Sequence, residues 1–163
     1  MKIKLDDVEA AMCHVAALKA RTQAGHQIGS TPHYNSRLNF HEQVAEIAES
    51  KASEWAVAKY FGIPYDPSDN KGKERADVGN GLEVKWTKYA DGHLIVYPTD
   101  RITDVAILVT GKHPEYYIAG WIPIAMAKRD RYKKSDQDSW WIGVNNLQPI
   151  ETVLRSSYAH TVI

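Results

Sequence analysis

The chain has 163 residues, enough for one domain with its own hydrophobic core. Its 20 basic residues (Lys and Arg) balance its 20 acidic residues (Asp and Glu), so the formal net charge is zero. Bulk positive charge therefore cannot drive nucleic-acid binding, which would need a local basic patch. Cys13 is the only cysteine, which excludes an intramolecular disulfide and a cysteine zinc cluster. No stretch reads as a signal peptide or a membrane span, so we expect a cytoplasmic protein without a membrane partner, a profile that a phage or mobile-element protein shares.

Two helices are expected in the first third of the chain. Apolar residues at helical spacing predict an amphipathic helix over 5–20, and they form its buried stripe: Leu5, Val8, Met12, Val15 and Leu18. The segment 21–40 has no period and is rich in Gly, Ser, Thr, Asn and His, which predicts a long loop or arm. A second helix is expected from Phe40 to Phe61, where Gly62-Ile63-Pro64 ends it.

After the polar turn region 66–75 the hydrophobic period becomes that of strands. The segments "RADV" (75–78) and "GLEVKWT" (81–87) flank Gly-Asn-Gly and predict a hairpin. Three further strands are expected at 93–98, 104–111 and 116–123, of which the second is apolar throughout and therefore central. A helix over 124–134, a last strand and a short helix complete a single α/β domain, divided into an N-terminal helix and arm (1–40), a core (41–125) and C-terminal elements (126–163).

Four charged residues are expected to converge. Alternation along a strand directs Glu83 and Lys85 to one face, and the tight turn brings Asp77 opposite them. The apolar strands that follow indicate that this strand lies inside the sheet. Glu54 lies on the apolar stripe of the second helix, where a carboxylate needs a partner. Oxygen ligands of this kind suit a hard cation such as Mg²⁺ or Mn²⁺.

The order of these residues resembles the PD-(D/E)XK nuclease superfamily. A helix containing a Glu ("KASEWAVAKYFGIPYD"), then an Asp, then "LEVK" carries the likeness, which covers roughly 51–122. The resemblance implies a restriction-endonuclease-like fold, with a central mixed β-sheet flanked by helices, and metal-dependent cleavage of phosphodiester bonds. It further implies that Asp77, Glu83, the Val84 carbonyl and Glu54 bind the metal and that Lys85 is the catalytic lysine. Ala76 stands where the motif name has Pro.

Basic residues next to this motif are candidates for phosphate contact: Lys71, Lys73, Arg75 and Lys88. DNA is the expected substrate in preference to RNA, with endonuclease and exonuclease action both open. A homodimer is a further expectation, because two sites suit symmetric cutting of both strands.

Three other regions have open interpretations. A second basic cluster follows residue 127, interleaved with Asp130 and Asp136, and is either a phosphate contact or a solvated surface: Lys128, Arg129, Arg131, Lys133 and Lys134. Trp140-Trp141 either stacks on bases or anchors apolar structure. The arm can reach a nucleic-acid groove or a second subunit through polar and aromatic residues: His26, His33, Tyr34, Asn35 and Arg37.

Two alternatives to the enzyme remain. One is a catalytically silent nuclease-like module that binds or inhibits a nuclease, or binds nucleic acid without cutting it. The other is a structural domain in which Glu54, Glu83 and Lys85 form a buried ion-pair network.

Overall fold

A computed structural model of the chain describes residues 1–24, 37–69, 71–72 and 74–163. Lys73 and the arm residues His26, His33, Tyr34 and Asn35 lie outside the described residues. The regular elements are β1 (Lys2–Lys4), α1 (Asp7–Ala24), α2 (Phe40–Phe61), β2 (Leu82–Thr87), β3 (Leu94–Val96), β4 (Val105–Lys112), β5 (Glu115–Pro123), α3 (Ile124–Ala127), β6 (Trp140–Ile142) and α4 (Ala159–Val162). None of the helices in the described part of the chain combines the length and apolarity needed to cross a bilayer.

The domain is built on a four-stranded mixed sheet in the order β1-β5-β4-β2. Strands β2 and β4 run parallel, whereas β5 pairs antiparallel with both β4 and β1. The expectation that the all-apolar strand is central is confirmed, because β4 lies between β5 and β2. The expectation that the strand carrying Glu83 and Lys85 lies inside the sheet is wrong, since β2 is an edge strand. The apolar strands after it in sequence extend the sheet on one side only.

Strand β4 is buried on both faces, which divides the hydrophobic core in two. Val105, Ile107 and Val109 face the layer formed by α2. Ala106 and Leu108 face the opposite side, where β3 and β6 form an antiparallel two-stranded ribbon. The result is a mixed α/β domain in which helices flank a mixed sheet, and this much of the predicted fold class is confirmed.

Helix α2 has the bounds expected from the sequence, Phe40–Phe61. The side chain of Asn39 caps its start by accepting a hydrogen bond from the Glu42 amide at 2.9 Å. Gly62 ends it in the left-handed conformation with φ 67°, which glycine adopts without steric cost. Its small buried residues Ala52, Ala56 and Ala58 pack with the sheet residues in one core cluster, whereas Ala48 packs with Ala17 of α1.

Helix α1 is predicted over 5–20 and spans Asp7–Ala24. Leu5 is buried as predicted but lies before the helix, and the helical part of the predicted stripe faces away from the core. Val8, Met12, Val15 and Leu18 are exposed, with Val8 68% accessible to solvent. The buried face instead consists of the small residues Cys13, Ala16 and Ala17, packed against α2. Two helices approach most closely where their contact residues are small. The face of small residues therefore packs against α2, and the stripe of larger apolar residues is left exposed to solvent.

Four other elements differ from expectation. Residues 75–78 form no strand, and the predicted hairpin is reduced to one antiparallel bridge between Val78 and Leu82. The helix expected over 124–134 is only the four-residue α3, followed by a 3₁₀ turn at Asp130–Tyr132. The short helix expected near 151–158 is a 3₁₀ helix at Ile150–Arg155, and β1 was not anticipated.

Candidate functional site

The turn that precedes β2 places Asp77 beside the strand. Gly79 has φ 58°, and a Cβ on it would lie 2.8 Å from the Val162 carbonyl oxygen. That carbonyl accepts hydrogen bonds from the amides of Asn80 and Gly81 at 3.1 and 3.0 Å. The turn is therefore clamped by the C-terminal helix α4, and only glycine fits the closest point.

Asp77 is joined directly to β2. Its Oδ2 accepts a hydrogen bond of 2.8 Å from the Val84 amide, which fixes the carboxylate at the edge of the sheet. Val84 thus meets Asp77 through its backbone N–H, while its side chain is buried in the core. Although residues 75–78 form no strand, the bridge between Val78 and Leu82 places Asp77 beside β2, as expected from the sequence.

Glu83 and Lys85 share a face of β2, as alternation requires. Lys85 Nζ lies 3.1 Å from Glu83 Oε1 and 2.8 Å from Asp100 Oδ2. The Asp100 side chain is only 4% exposed, so this ammonium is held between two carboxylates in a largely desolvated setting. Lys85 Nζ also lies 5.7 Å from the centre of the Tyr97 ring.

Glu54 enters the site from α2. Its Oε2 accepts a hydrogen bond of 2.6 Å from the Tyr65 hydroxyl. Lys71 connects this pair to the turn, because its Nζ lies 4.6 Å from the centre of the Tyr65 ring and donates to the Asp77 carbonyl oxygen. Three segments of the chain therefore meet around the two carboxylates Glu54 and Asp77.

These groups surround a polar cleft of about 300 Å³. Acidic residues that line it come from α2, from the turn, from β2 and from the segment after β3: Glu54, Asp69, Asp77, Glu83, Asp100 and Asp104. Basic residues also line it: Lys51, Lys71, Arg75 and Arg101. Like charges gathered in one cleft make the ionised form of each carboxylate costly, and positive charge relieves that cost.

The pKa values reflect burial first and this crowding of like charges second. Burial, reinforced by the charge of Asp77, raises the pKa of Glu54 to about 8 and that of Glu83 to about 7. Burial also raises the pKa of Asp77, although the Val84 amide and Lys85 oppose the change. For Lys85, burial alone would lower the pKa, but Glu83 and Asp100 outweigh it and the pKa is raised. At neutral pH the lysine is charged, while Glu54 retains its proton.

A divalent cation suits the chemistry of this donor set. Carboxylate oxygens are the ligands that Mg²⁺ and Mn²⁺ prefer, and the pKa values of Glu54 and Glu83 are raised by burial and by the neighbouring charge of Asp77, a cost that a bound cation would relieve. Among the described residues, however, no three His, Cys, Asp or Glu side chains are already gathered as a metal-binding group. To bind a metal ion, Glu83 would have to give up its contact with Lys85.

The basic residues proposed for phosphate contact occupy different places. Lys71 lies inside the cleft, where its ammonium is engaged with Asp77. Arg75 is exposed at the cleft and pairs with Asp69 at 3.3 Å. Lys88 does not line the cleft; it is exposed beyond the end of β2, with its ammonium 5.2 Å from the centre of the Tyr89 ring. Lys73 lies outside the described residues.

Several contributors were not assigned to the site from the sequence, where Asp100 and Asp104 beside Arg101 indicate only strand-edge and capping residues. Asp100 reads as a capping residue and does cap a turn, since its Oδ2 accepts from the Tyr97 amide at 2.8 Å, but the same oxygen also binds Lys85. Arg101 contacts Asp104 through two nitrogens at 2.9 and 3.0 Å and donates to the carbonyl oxygen of Glu74. The contacts within 97–104 are local, but nothing in the local pattern could reveal the contact of Asp100 with Lys85 or that of Arg101 with Glu74, because these partners lie far apart in sequence. The motif at 77–85 could not indicate Tyr65 either.

No protein-family model, curated protein or solved structure matches this chain.

Proposed function

We propose that this chain is a nuclease that hydrolyses phosphodiester bonds in DNA with the help of Mg²⁺ or Mn²⁺. The observation that supports it most is the convergence of Glu54, Asp77 and Glu83 on one cleft, beside the ammonium of Lys85. Carboxylates at this density, with raised pKa values, are characteristic of sites tuned for chemistry. The resemblance to PD-(D/E)XK nucleases in the order of these residues is the second support.

A bound divalent cation would supply positive charge at the phosphate and a water of lowered pKa. Carboxylate oxygens of Asp77, Glu83 and Glu54 would hold it, together with the Val84 carbonyl that the resemblance adds. Glu54 holds a proton at neutral pH in the free protein, because its pKa is about 8, and it would release that proton on ligating a cation.

Lys85 has a role that its own contacts support. An ammonium has three N–H donors, and Glu83 and Asp100 engage two of them. The third can donate to a phosphate oxygen and stabilise the negative charge that develops there. Asp100 keeps the ammonium in place whichever way Glu83 turns, since its contact of 2.8 Å is independent of Glu83.

The finer features belong to the same proposal. A restriction-endonuclease-like fold, a homodimer with two sites, a cytoplasmic location and a phage or mobile-element origin rest on the resemblance and on the composition. Endonuclease and exonuclease action are separated by the substrate that is cut.

Cleavage assays test the proposal. Supercoiled plasmid, linear duplex, single-stranded DNA and RNA are incubated with Mg²⁺ or Mn²⁺, and a parallel series contains EDTA. Glu83→Gln keeps an acceptor for Lys85 and so preserves the fold, whereas Lys85→Met removes the ammonium. Lys112→Met is the matched control, because Lys112 is exposed at the other end of β4.

The parent is expected to cut DNA only with metal, and both site variants to lose at least about a hundredfold in rate. Lys112→Met is expected to match the parent. Failure of the folded, metal-supplied parent to cut any substrate would overturn the proposal, as would full activity in Glu83→Gln.

The contacts of Lys85 also favour a second candidate without catalysis. With Glu83 and Asp100 both within 3.1 Å, the ammonium already neutralises much of the cleft, as a structural ion-pair network would. Calorimetric titration with Mn²⁺ separates the two. Binding that disappears in Glu83→Gln supports the metal site, whereas no binding to the parent favours the structural network or a silent binding module.

A further inference from the structure

A second charged surface lies beside the cleft, on the side of the β3–β6 ribbon. We use the name ribbon face for the surface around β6 formed by four cationic and two aromatic residues: Lys128, Arg131, Lys133, Lys134, Trp140 and Trp141. It spans both sides of the strand, because alternation directs Trp140, with Lys128 and Lys133, to one side and Trp141, with Lys134, to the other. Ammonium nitrogens lie over both indole rings: Lys133 Nζ is 4.3 Å and Lys128 Nζ 5.6 Å from the centre of Trp140, and Lys134 Nζ is 4.9 Å from that of Trp141. Both tryptophans are half-buried, so their rings are fixed by packing.

The ribbon face concentrates positive charge in a neutral protein. Residues 128–138 contain five basic and three acidic side chains, whereas the whole chain has a formal net charge of zero. Within the described part of the chain, the single ion pair of this segment joins Lys133 to Asp138 at 2.6 Å. The Asp138 side chain is 79% exposed, and such solvated pairs are weak enough to exchange for another anion.

The aromatic rings pre-order these cations. A cation over an exposed indole gains roughly 0.5–1 kcal/mol, which restricts a side chain that is otherwise free to move. Long cationic side chains lose conformational freedom when they contact a phosphate, and ordering them beforehand lowers that cost. A surface of held lysines is therefore better suited to a regular array of phosphates than to a single small anion.

The ribbon face is continuous with the cleft. Lys128 Nζ donates to the carbonyl oxygens of Asp100 at 2.6 Å and Pro98 at 3.0 Å. The carboxylate of the same Asp100 contacts Lys85 at 2.8 Å. Val96, at the end of β3, pairs with Trp140, and Tyr97 follows it to within 5.7 Å of Lys85. The Trp140 side of the ribbon face is therefore joined to Lys85 through Asp100 and Tyr97.

We propose that the ribbon face is the docking surface for the sugar–phosphate backbone of DNA, which it directs towards the cleft. The choice of DNA as the ligand rests on the proposed function. The test does not depend on that function, because it measures binding without cleavage. It also shifts the main phosphate contacts from the residues flanking the motif, such as Lys88, to the ribbon.

Fluorescence anisotropy of a labelled 20-base-pair DNA duplex, with the full chain in EDTA and salt from 50 to 200 mM, tests it. The test variant is Lys133→Ala/Lys134→Ala. Its matched control is Lys2→Ala/Lys4→Ala, which removes two exposed lysines from β1, at the opposite edge of the sheet, and also leaves one carboxylate, Glu115, without its partners. Thermal melts confirm that both variants are folded.

The test variant is expected to bind roughly ten- to a hundredfold more weakly at 0.1 M salt, with a log–log salt slope smaller by about two, because each lost phosphate contact removes about 0.9 from that slope. The control is expected to stay within about threefold of the parent by the same rule. Equal losses in both variants, no duplex binding by the parent at 50 mM salt, or tighter binding of an RNA duplex would overturn the assignment. Lysine-dependent binding by a parent that cuts nothing would support the ribbon face and defeat only the nuclease.

Discussion

The substitution Glu54→Gln tests how strongly the folded protein opposes ionisation of Glu54. Burial and the charge of Asp77 raise the pKa of Glu54 from 4.5 to about 8. Below pH 4.5 the residue is protonated whether the protein is folded or unfolded. Between pH 4.5 and 8 the unfolded chain releases the proton and the folded protein keeps it, so this group makes the free energy of unfolding fall as pH rises. At about 1.36 kcal/mol per pH unit the whole window corresponds to at most roughly 5 kcal/mol.

Local relaxation and solvent at the half-buried carboxylate reduce this, so we expect about 2–4 kcal/mol to be measured. Gln keeps an oxygen that can accept the 2.6 Å hydrogen bond from Tyr65 but cannot ionise. In EDTA, urea denaturation should therefore find Glu54→Gln similar to the parent at pH 5 and more stable by that amount at pH 8.5.

Glu42→Gln is the matched control, because Glu42 is an exposed carboxylate on the same helix. Its free energy of unfolding should differ from that of the parent by no more than about 0.5 kcal/mol, by the same amount at both pH values. Parallel stability profiles for the parent and Glu54→Gln between pH 5 and 8.5 would refute the reasoning, since they would mean that Glu54 ionises as easily in the folded protein as in the unfolded chain.

Four further substitutions test other parts of the structure by denaturant unfolding. Lys85→Met leaves the largely buried carboxylates of Glu83 and Asp100 without their cation and should lower the free energy of unfolding by about 3–5 kcal/mol at pH 8. The loss should be smaller at pH 5, because Glu83 takes up a proton there, and an equal loss at both pH values would contradict this. Gly79→Ala places a Cβ 2.8 Å from the Val162 carbonyl oxygen at a φ of 58°, and should cost about 1–3 kcal/mol, whereas a neutral effect would show that α4 does not clamp the turn. Val15→Ser, on the exposed face of α1, should change the free energy of unfolding by less than about 0.5 kcal/mol. Ala17→Leu, on the buried face, should lower it by about 1–3 kcal/mol. The reverse order would mean that the face predicted from the sequence is the buried one.

Local chemistry determined much of this protein directly. Helix α2 begins and ends as predicted, because Asn39 and Gly62 satisfy backbone groups within a few residues of themselves. The shared face of Glu83 and Lys85 follows from strand alternation, and the centrality of β4 follows from its unbroken apolar run.

Tertiary structure decided what depends on distant partners. The buried face of α1 was chosen by close packing of small residues against α2, which a stripe of larger apolar residues does not reveal. The edge position of β2 followed from which strands paired, and the partnership of Lys85 with Asp100 joined residues that no local period relates. Sequence by itself determines backbone preferences and alternation, because these act within a turn or a strand; which charges meet in the cleft depends on how the whole chain packs.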